Sequence, residues 1–325
     1  MYGYEWTEEN GIFRLSIDVK VQKEIRPVFH EELDFFGMDA YWDYPRDTSA
    51  PLLWAEGVRR YVLNGRCIAE ARGGGFYSKP VIERFTDERI QLEPIDVERL
   101  FNINKSLLLS LEQKAITFIQ QQHSVYASQG YAFVCAFSGG KDSLVLLDLV
   151  SKALAPDDFY VVFNNTGMEL SDTTESIKKA REKWPQLRFI EAKCHMMPKE
   201  SWAEFGPPAS RLRWCCSVHK SVPTVLKIKE LFGDSGKAVV YDGVRAEESL
   251  RRSKYTEVAE GVKNAMQINC HAILKWSSAE VFVYLLRNGL LITSASRSAT
   301  KRLICDVPSG CMVPTAQAKA TRRFL

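Results

Sequence analysis

The feature that most constrains this chain is a short segment, Ser138-Gly-Gly-Lys-Asp-Ser143, set between two apolar runs. Upstream, Tyr131-Ala-Phe-Val-Cys-Ala-Phe137 is continuously apolar, the pattern of a parallel strand covered on both faces. Downstream, Leu144-Val-Leu-Leu-Asp-Leu-Val150 is apolar nearly all round, which predicts a buried helix. Two glycines let the backbone turn tightly and present N–H groups. The helix N-terminus adds positive dipole, and Lys141 adds a full charge. The hydroxyls of Ser138 and Ser143 can donate to the same oxygens. Ser138, Gly139, Gly140, Lys141, Asp142 and Ser143 therefore read as an anion cradle. It is not the Walker type, which needs Gly-x-x-x-x-Gly-Lys followed by Ser or Thr.

From about Phe101 onward, apolar strands alternate with amphipathic helices. A helix is predicted over 107–122, strands over 131–137, 159–163, 187–191 and 237–241, and helices over 174–184 and 222–232. Such alternation predicts an α/β fold with a doubly wound, mostly parallel sheet, its ligand at the carboxyl ends of the strands. Residues 1–100 read as a smaller, β-rich N-terminal domain. Phe13 to Val19 alternates apolar and polar, and Tyr61 to Ala69 is a hairpin turning at Asn64-Gly65. Residues 73–80 are a Gly-rich loop. The expected division is thus 1–100, 101–292, and a basic, weakly patterned tail over 293–325.

With 46% hydrophobic and 26% charged residues, 325 residues can build two cores. Forty-three basic against 40 acidic residues do not by themselves predict a nucleic-acid partner. No apolar run approaches a membrane span, and the first residues lack the basic and apolar regions of a signal peptide. The expectation is no membrane and a cytoplasmic location.

Further candidates lie past the other strand ends. Arg245, Arg251 and Arg252 carry guanidinium forks that can clamp phosphate or sulfate, or else form a solvated basic face. Glu169 is a candidate for a ribose hydroxyl or Mg2+, or a surface carboxylate at a helix start. Asp142 is a candidate metal ligand or helix cap. Eight cysteines spread over a chain of this size do not suggest a disulfide framework. The vicinal Cys215-Cys216 is a ligand or redox candidate. His195 and His219, beside cysteines, are ligands, bases or structural.

The loop 138–143 resembles the PP-loop of N-type ATP pyrophosphatases, which cleave ATP between its α- and β-phosphates. Asn164-Asn-Thr-Gly-Met-Glu-Leu-Ser-Asp-Thr173 is similar to an Asp-Thr-Gly-x-Glu element of the phosphoadenylyl sulfate (PAPS) reductase branch of that superfamily. Gly243-Val-Arg-Ala-Glu-Glu-Ser-Leu-Arg-Arg252 resembles that branch's Gly-x-Arg-x-x-Glu-Ser-x-x-Arg signature. Ile273 to Val281 is similar to its segment of a tryptophan before a Val-headed helix, with Ser277 and Glu280 as a capping box. The likeness runs from residue 138 to about 290 and implies an adenine nucleotide alpha hydrolase-like fold. It implies nucleotide contacts from the loop, Thr166, Gly167, Glu169, Gly243, Arg245, Ser249 and Arg252, with Lys141, Asp142 and Arg245 in catalysis.

In that resemblance, true PAPS reductases lack the Lys-Asp pair. Its presence here implies ATP with Mg2+ and adenylyl or sulfur transfer that releases AMP and pyrophosphate. Relatives in DNA phosphorothioation and tRNA thiolation imply a sulfur donor protein and a nucleic acid acceptor. The alternatives are a sulfonucleotide reductase and an inactive nucleotide-binding module of a modification or defence complex. Arg213 to Lys220 resembles the Cys-Cys segment of adenylyl sulfate reductases, which with a later Cys-x-x-Cys holds a [4Fe–4S] cluster. That implies Cys215, Cys216, Cys305 and Cys311 as ligands, and Cys216 as a catalytic thiol. The chain departs from the pattern here: five residues separate Cys305 from Cys311, and no Glu-Cys-Gly-x-His follows.

Overall fold

The computed structural model describes residues 2–290, apart from 20–22, 58, 74–79, 170, 209–211, 234–235 and 262–265. Cys305, Cys311, the tail over 293–325 and most of the Gly-rich loop lie outside the described residues. Two compact units emerge. One gathers residues 2–113, 245–254 and 275–290; the other gathers 114–244 and 255–274.

In the first unit, β1 (Gly3–Trp6) and β2 (Phe13–Ser16) form an antiparallel pair. Then come β3 (Ile25–Val28), α1 (His30–Phe35), β4 (Trp42–Asp43), β5 (Leu53–Glu56), β6 (Arg60–Leu63), β7 (Arg66–Gly73), β8 (Pro80–Arg84) and β9 (Ile90–Gln91). An antiparallel sheet runs β3-β5-β6-β7-β8, and β4 pairs with β9. The predicted hairpin is β6–β7. Asn64 and Gly65 both take positive φ, 48° and 78°, as a primed two-residue turn requires. Val28, Leu33, Trp42, Leu53, Tyr61 and Ile68 belong to its core. Arg26 is buried there, its fork on Glu32 at 2.5 and 2.6 Å, and the Tyr61 hydroxyl donates to Glu32 at 2.7 Å.

The helix expected over 107–122 is longer, α2 (Val97–Ala127). It starts earlier because Asp96 caps it, its carboxylate accepting from the Arg99 backbone N–H at 2.9 Å. The boundary drawn near residue 100 therefore falls in the first turn of a helix.

In the second unit come β10 (Ala132–Phe137), α3 (Lys141–Ala153), β11 (Tyr160–Asn165), α4 (Ser171–Lys183) and β12 (Arg188–Lys193). They are followed by α5 (Pro198–Phe205), α6 (Trp214–Cys216), α7 (Val222–Phe232), β13 (Ala238–Tyr241), β14 (Val258–Glu260) and β15 (Gln267–Cys270). The sheet order is β12-β11-β10-β13-β15-β14, with every pair parallel except β14–β15. This is the doubly wound, mostly parallel α/β sheet that the alternation predicted. Ser143 to Val150 of α3 are all buried, as an all-round apolar helix must be. Val134, Val162, Ala192, Ile228 and Val240 form a core cluster over the sheet. The last helix, α8 (Ser278–Arg287), belongs to the first unit. Among the described residues, no helix is long and apolar enough to cross a membrane.

Candidate nucleotide site

Successive strands run from β10 to β11 and β12 on one side, whereas β13 and β15 lie on the other. The direction of winding thus reverses between β10 and β13, and open α/β sheets bind ligands in the crevice at such a reversal. The loop 138–140 leaves β10 there, and Gly140 is the N-cap of α3. Gly139 has φ +72°, and a Cβ on it would lie 3.3 Å from the Thr173 carbonyl oxygen. Only glycine suits it. The Ser176 hydroxyl fixes the turn by donating to Gly139 O at 2.9 Å.

Within the cradle, the Ser138 backbone N–H points to Ser143 Oγ at 3.3 Å, and the two hydroxyls are 3.2 Å apart. The Ser143 hydroxyl donates to Gly140 O at 2.9 Å. Lys141 Nζ meets Asp142 Oδ2 at 2.8 Å, with both side chains mostly buried. The structure therefore brings Ser138, Gly139, Gly140, Lys141, Asp142 and Ser143 together at a helix N-terminus, where backbone N–H groups and dipole favour an anion. Gly243, just past β13, approaches from the other side. A Cβ there would stand 3.0 Å from the Asp142 carbonyl and 3.1 Å from Ser143 N. Its missing side chain admits the first turn of α3.

At the end of β11, Glu169 is turned inward on its own loop. Its Oε1 accepts from Thr166 N–H at 3.0 Å and from the Thr166 hydroxyl at 2.7 Å. Gly167, at φ +71°, donates to Asn165 Oδ1 at 2.9 Å and packs on Pro198. Beside this loop a cavity of about 420 Å3 is lined by Phe163, Asn165, Glu169, Ile177, Arg181 and Glu191 among others.

Arg245, Ser249 and Arg252 belong to the first unit. Arg245 is fully buried, with NH1 2.7 Å from Glu247 Oε2 and NH2 3.3 Å from Glu24 Oε1. The α8 N-terminus closes this cluster: Ser278 N–H donates to Glu247 Oε2 at 2.7 Å, and Ser277 N–H to Glu280 Oε2 at 2.6 Å. The capping box is present as predicted. Burial pushes the Glu247 carboxyl up, and that of Glu280 to about 8. Arg252 pairs with Glu248. The guanidinium expected to clamp a ligand is thus engaged by carboxylates.

Cys215 and Cys216 sit in α6, joined to α7 by a π-helical turn at Ser217–Ser221. Cys216 carries a free thiol. His219 is fully buried, 2.8 Å from Ser201 Oγ, and burial lowers its pKa. Ser201 gives its own hydrogen to Pro198 O, so the imidazole Nε2–H is the donor to Ser201. His195 is exposed. Among the described residues no three His, Cys, Asp or Glu side chains group as metal ligands. A four-thiolate set would require Cys215, which is disulfide-bonded, and Cys305 and Cys311, which lie outside the described residues.

Sequence reasoning missed one arrangement entirely. Asp242 and His271 follow β13 and β15, with His271 Nδ1 2.5 Å from Asp242 Oδ1 and Asn269 Nδ2 donating to Oδ2 at 3.0 Å. Neither residue falls in a recognisable motif. Nor was β15 expected, and without it the pairing has no register.

Fold and loop together define a PP-loop α/β domain. Residues 132–303 match the family model of the phosphoadenosine phosphosulfate reductase domain, and the chain belongs to that family. Two uncharacterized proteins of Methanocaldococcus jannaschii are 30% and 34% identical over 64% and 57% of this chain, which spans 49% and 37% of their lengths. An adenosine 5'-phosphosulfate reductase of Geobacillus thermodenitrificans is 28% identical over 51% of this chain and 67% of its own. Among solved structures, a PAPS reductase of Candida auris is 18% identical, with TM-score 0.41, over 58% of this chain and 88% of that one.

Proposed function

We propose that the protein binds ATP in the cradle and catalyses adenylyl or sulfur transfer, releasing AMP and pyrophosphate. The observation that carries this reading is the complete loop, with Lys141 and Asp142 on the first turn of α3 beside the Ser138 and Ser143 hydroxyls. The β- and γ-phosphates would receive the loop N–H groups and the Lys141 ammonium, which offset charge on the leaving pyrophosphate. Magnesium fits this donor set, because an ion carried in on a polyphosphate needs only one or two protein carboxylates. Asp142 would hold it, and when bound it would neutralise phosphate charge. Thr166 and Glu169 border the nucleoside end. A sulfur or nitrogen nucleophile then displaces AMP from the adenylylated acceptor, with a nucleic acid and a sulfur donor protein as partners, in a cytoplasmic setting.

Family membership favours a second reading, reduction of a sulfonucleotide with Cys216 as the thiol. An iron–sulfur cluster gains no support from the described residues.

Calorimetric titration separates these readings. Mg-ATP is expected to bind wild type, and Lys141→Ala to weaken it about ten- to a hundredfold, the loss of a charge-assisted contact of about 1.5–3 kcal/mol. Tight binding of adenosine phosphosulfate with no binding of ATP would overturn the first reading in favour of the second. ADP as the sole turnover product would exclude α–β cleavage.

A further inference from the structure

We propose that Asp242 and His271 form a proton-accepting pair at the crevice, serving the nucleophile that displaces AMP. This inference rests on the ATP-dependent transfer reading. In the parallel register Cys135, Tyr241 and Cys270 lie level on β10, β13 and β15. Asp242 and His271 each stand one residue further toward the carboxyl ends, and the cradle opens at Ser138. Neighbouring strands are about 4.8 Å apart. Asp242 therefore stands one strand spacing from β10 and His271 two, each two residues short of the level of Ser138, and Gly243, next to Asp242, already touches the first turn of α3.

The hydrogen bonds fix the imidazole tautomer. A carboxylate can only accept, so Nδ1 carries the hydrogen that bonds Asp242, and the neutral ring keeps its lone pair on Nε2. Asn269 holds the other carboxylate oxygen, and Tyr255 stacks on the ring with centroids 5.8 Å apart. The His271 backbone N–H donates to Glu257 O at 2.8 Å. Nε2 has no hydrogen bond among the described residues, and the side chain keeps 4% of its surface exposed. This is a base held in one tautomer, largely buried, with one nitrogen committed and the other without a hydrogen bond among the described residues. Other buried titratable groups of the sheet do not offer this: burial raises the Cys135 thiol and pushes that of Cys270 to about 12.

The chemistry balances without an oxidant. A protonated nucleophile, amine or thiol, forms its bond to the adenylylated carbon. The carbon–oxygen bond to AMP breaks, and AMP leaves with the electron pair. The nucleophile's proton passes to Nε2, and Asp242 stabilises the imidazolium.

Asp242→Asn discriminates this role from a structural lock between strand ends. With Asn269 held in its present orientation, the amide oxygen takes the Asn269 N–H, so its NH2 faces Nδ1 and moves the hydrogen onto Nε2. Expected are an Nδ1–H wild-type tautomer by ring nitrogen NMR, an Nε2–H tautomer in Asp242→Asn, and AMP release cut about a hundredfold in Asp242→Asn and His271→Gln. The loss should fall on kcat rather than KM, with Mg-ATP still titrating onto both variants. Wild-type turnover in both variants would overturn the proposal while leaving the transfer reading intact. A wild type that releases no AMP with any amine or thiol would overturn both. Should a variant fail to fold, the wild-type spectrum decides. Hydrogen on Nε2, or ring nitrogens that do not move when a non-hydrolysable ATP analogue with Mg2+ binds, would overturn the pairing; the Nδ1–H form with moving signals would support it.

Discussion

The loop 138–143 is held by small residues and backbone, whereas the segment 245–252, only a few residues past Gly243, is held by charge. Around the loop, Gly139 and Gly243 leave room where a Cβ would strike backbone, and one serine hydroxyl secures the turn. Around Arg245, three glutamates converge on one guanidinium and one helix N-terminus. The first arrangement gathers backbone N–H groups and one Lys141–Asp142 ion pair at a helix N-terminus. In the second, the polar groups bind mainly one another, so its cost and its pH sensitivity should appear in stability instead.

The largest expected consequence concerns Glu280. Its carboxyl is raised by burial from an ordinary 4.5 to about 8, so between these values the folded state holds a proton that the unfolded state has lost. Stability is therefore greatest below about pH 4.5 as far as this group is concerned, and falls as pH rises from there to about 8, by roughly 5 kcal/mol. Denaturant unfolding across that window should show the fall, and Glu280→Gln should flatten it. A slope unchanged in Glu280→Gln would break the contrast on its charged side.

Arg245→Ala comes next. It removes the buried cation that faces Glu247 and the more exposed Glu24, at a cost of about 3 kcal/mol, the low end for breaking a buried pair. The melting temperature should drop. If Mg-ATP affinity falls while melting is unchanged, the guanidinium serves a ligand and the two regions are alike after all.

On the other side, Gly243→Ala drives a methyl against the Asp142 carbonyl. Overpacking of this kind costs about 2 kcal/mol, and nucleotide affinity should fall with it. Unchanged nucleotide affinity and melting temperature in Gly243→Ala would contradict a steric role for Gly243. The smallest effect is that of Ser176→Ala, which removes one buried hydrogen bond to Gly139 O, worth about 1 kcal/mol. Looser ATP binding at nearly unchanged melting temperature is expected.

What was legible in the sequence is what short-range physics controls. Apolar runs gave β10 and a buried α3, Asn64-Gly65 gave a primed turn, and Ser277 with Glu280 gave a capping box. In each case the decisive groups lie within a few residues, where sterics and helical or strand period determine the outcome. The loop 138–143 was legible for the same reason. The start of α2 is an exception that could have been read, since Asp96 is an ordinary cap. Tertiary structure alone decided the rest. Arg245 looked like a ligand clamp until Glu24, 221 residues away, was brought to it. Glu169 looked free until Thr166 folded onto it. Asp242 and His271 meet only because β13 and β15 are neighbours in parallel register, which no local pattern specifies. Charge finds its partners across the fold, and a sequence lists the charges without saying which will be buried together.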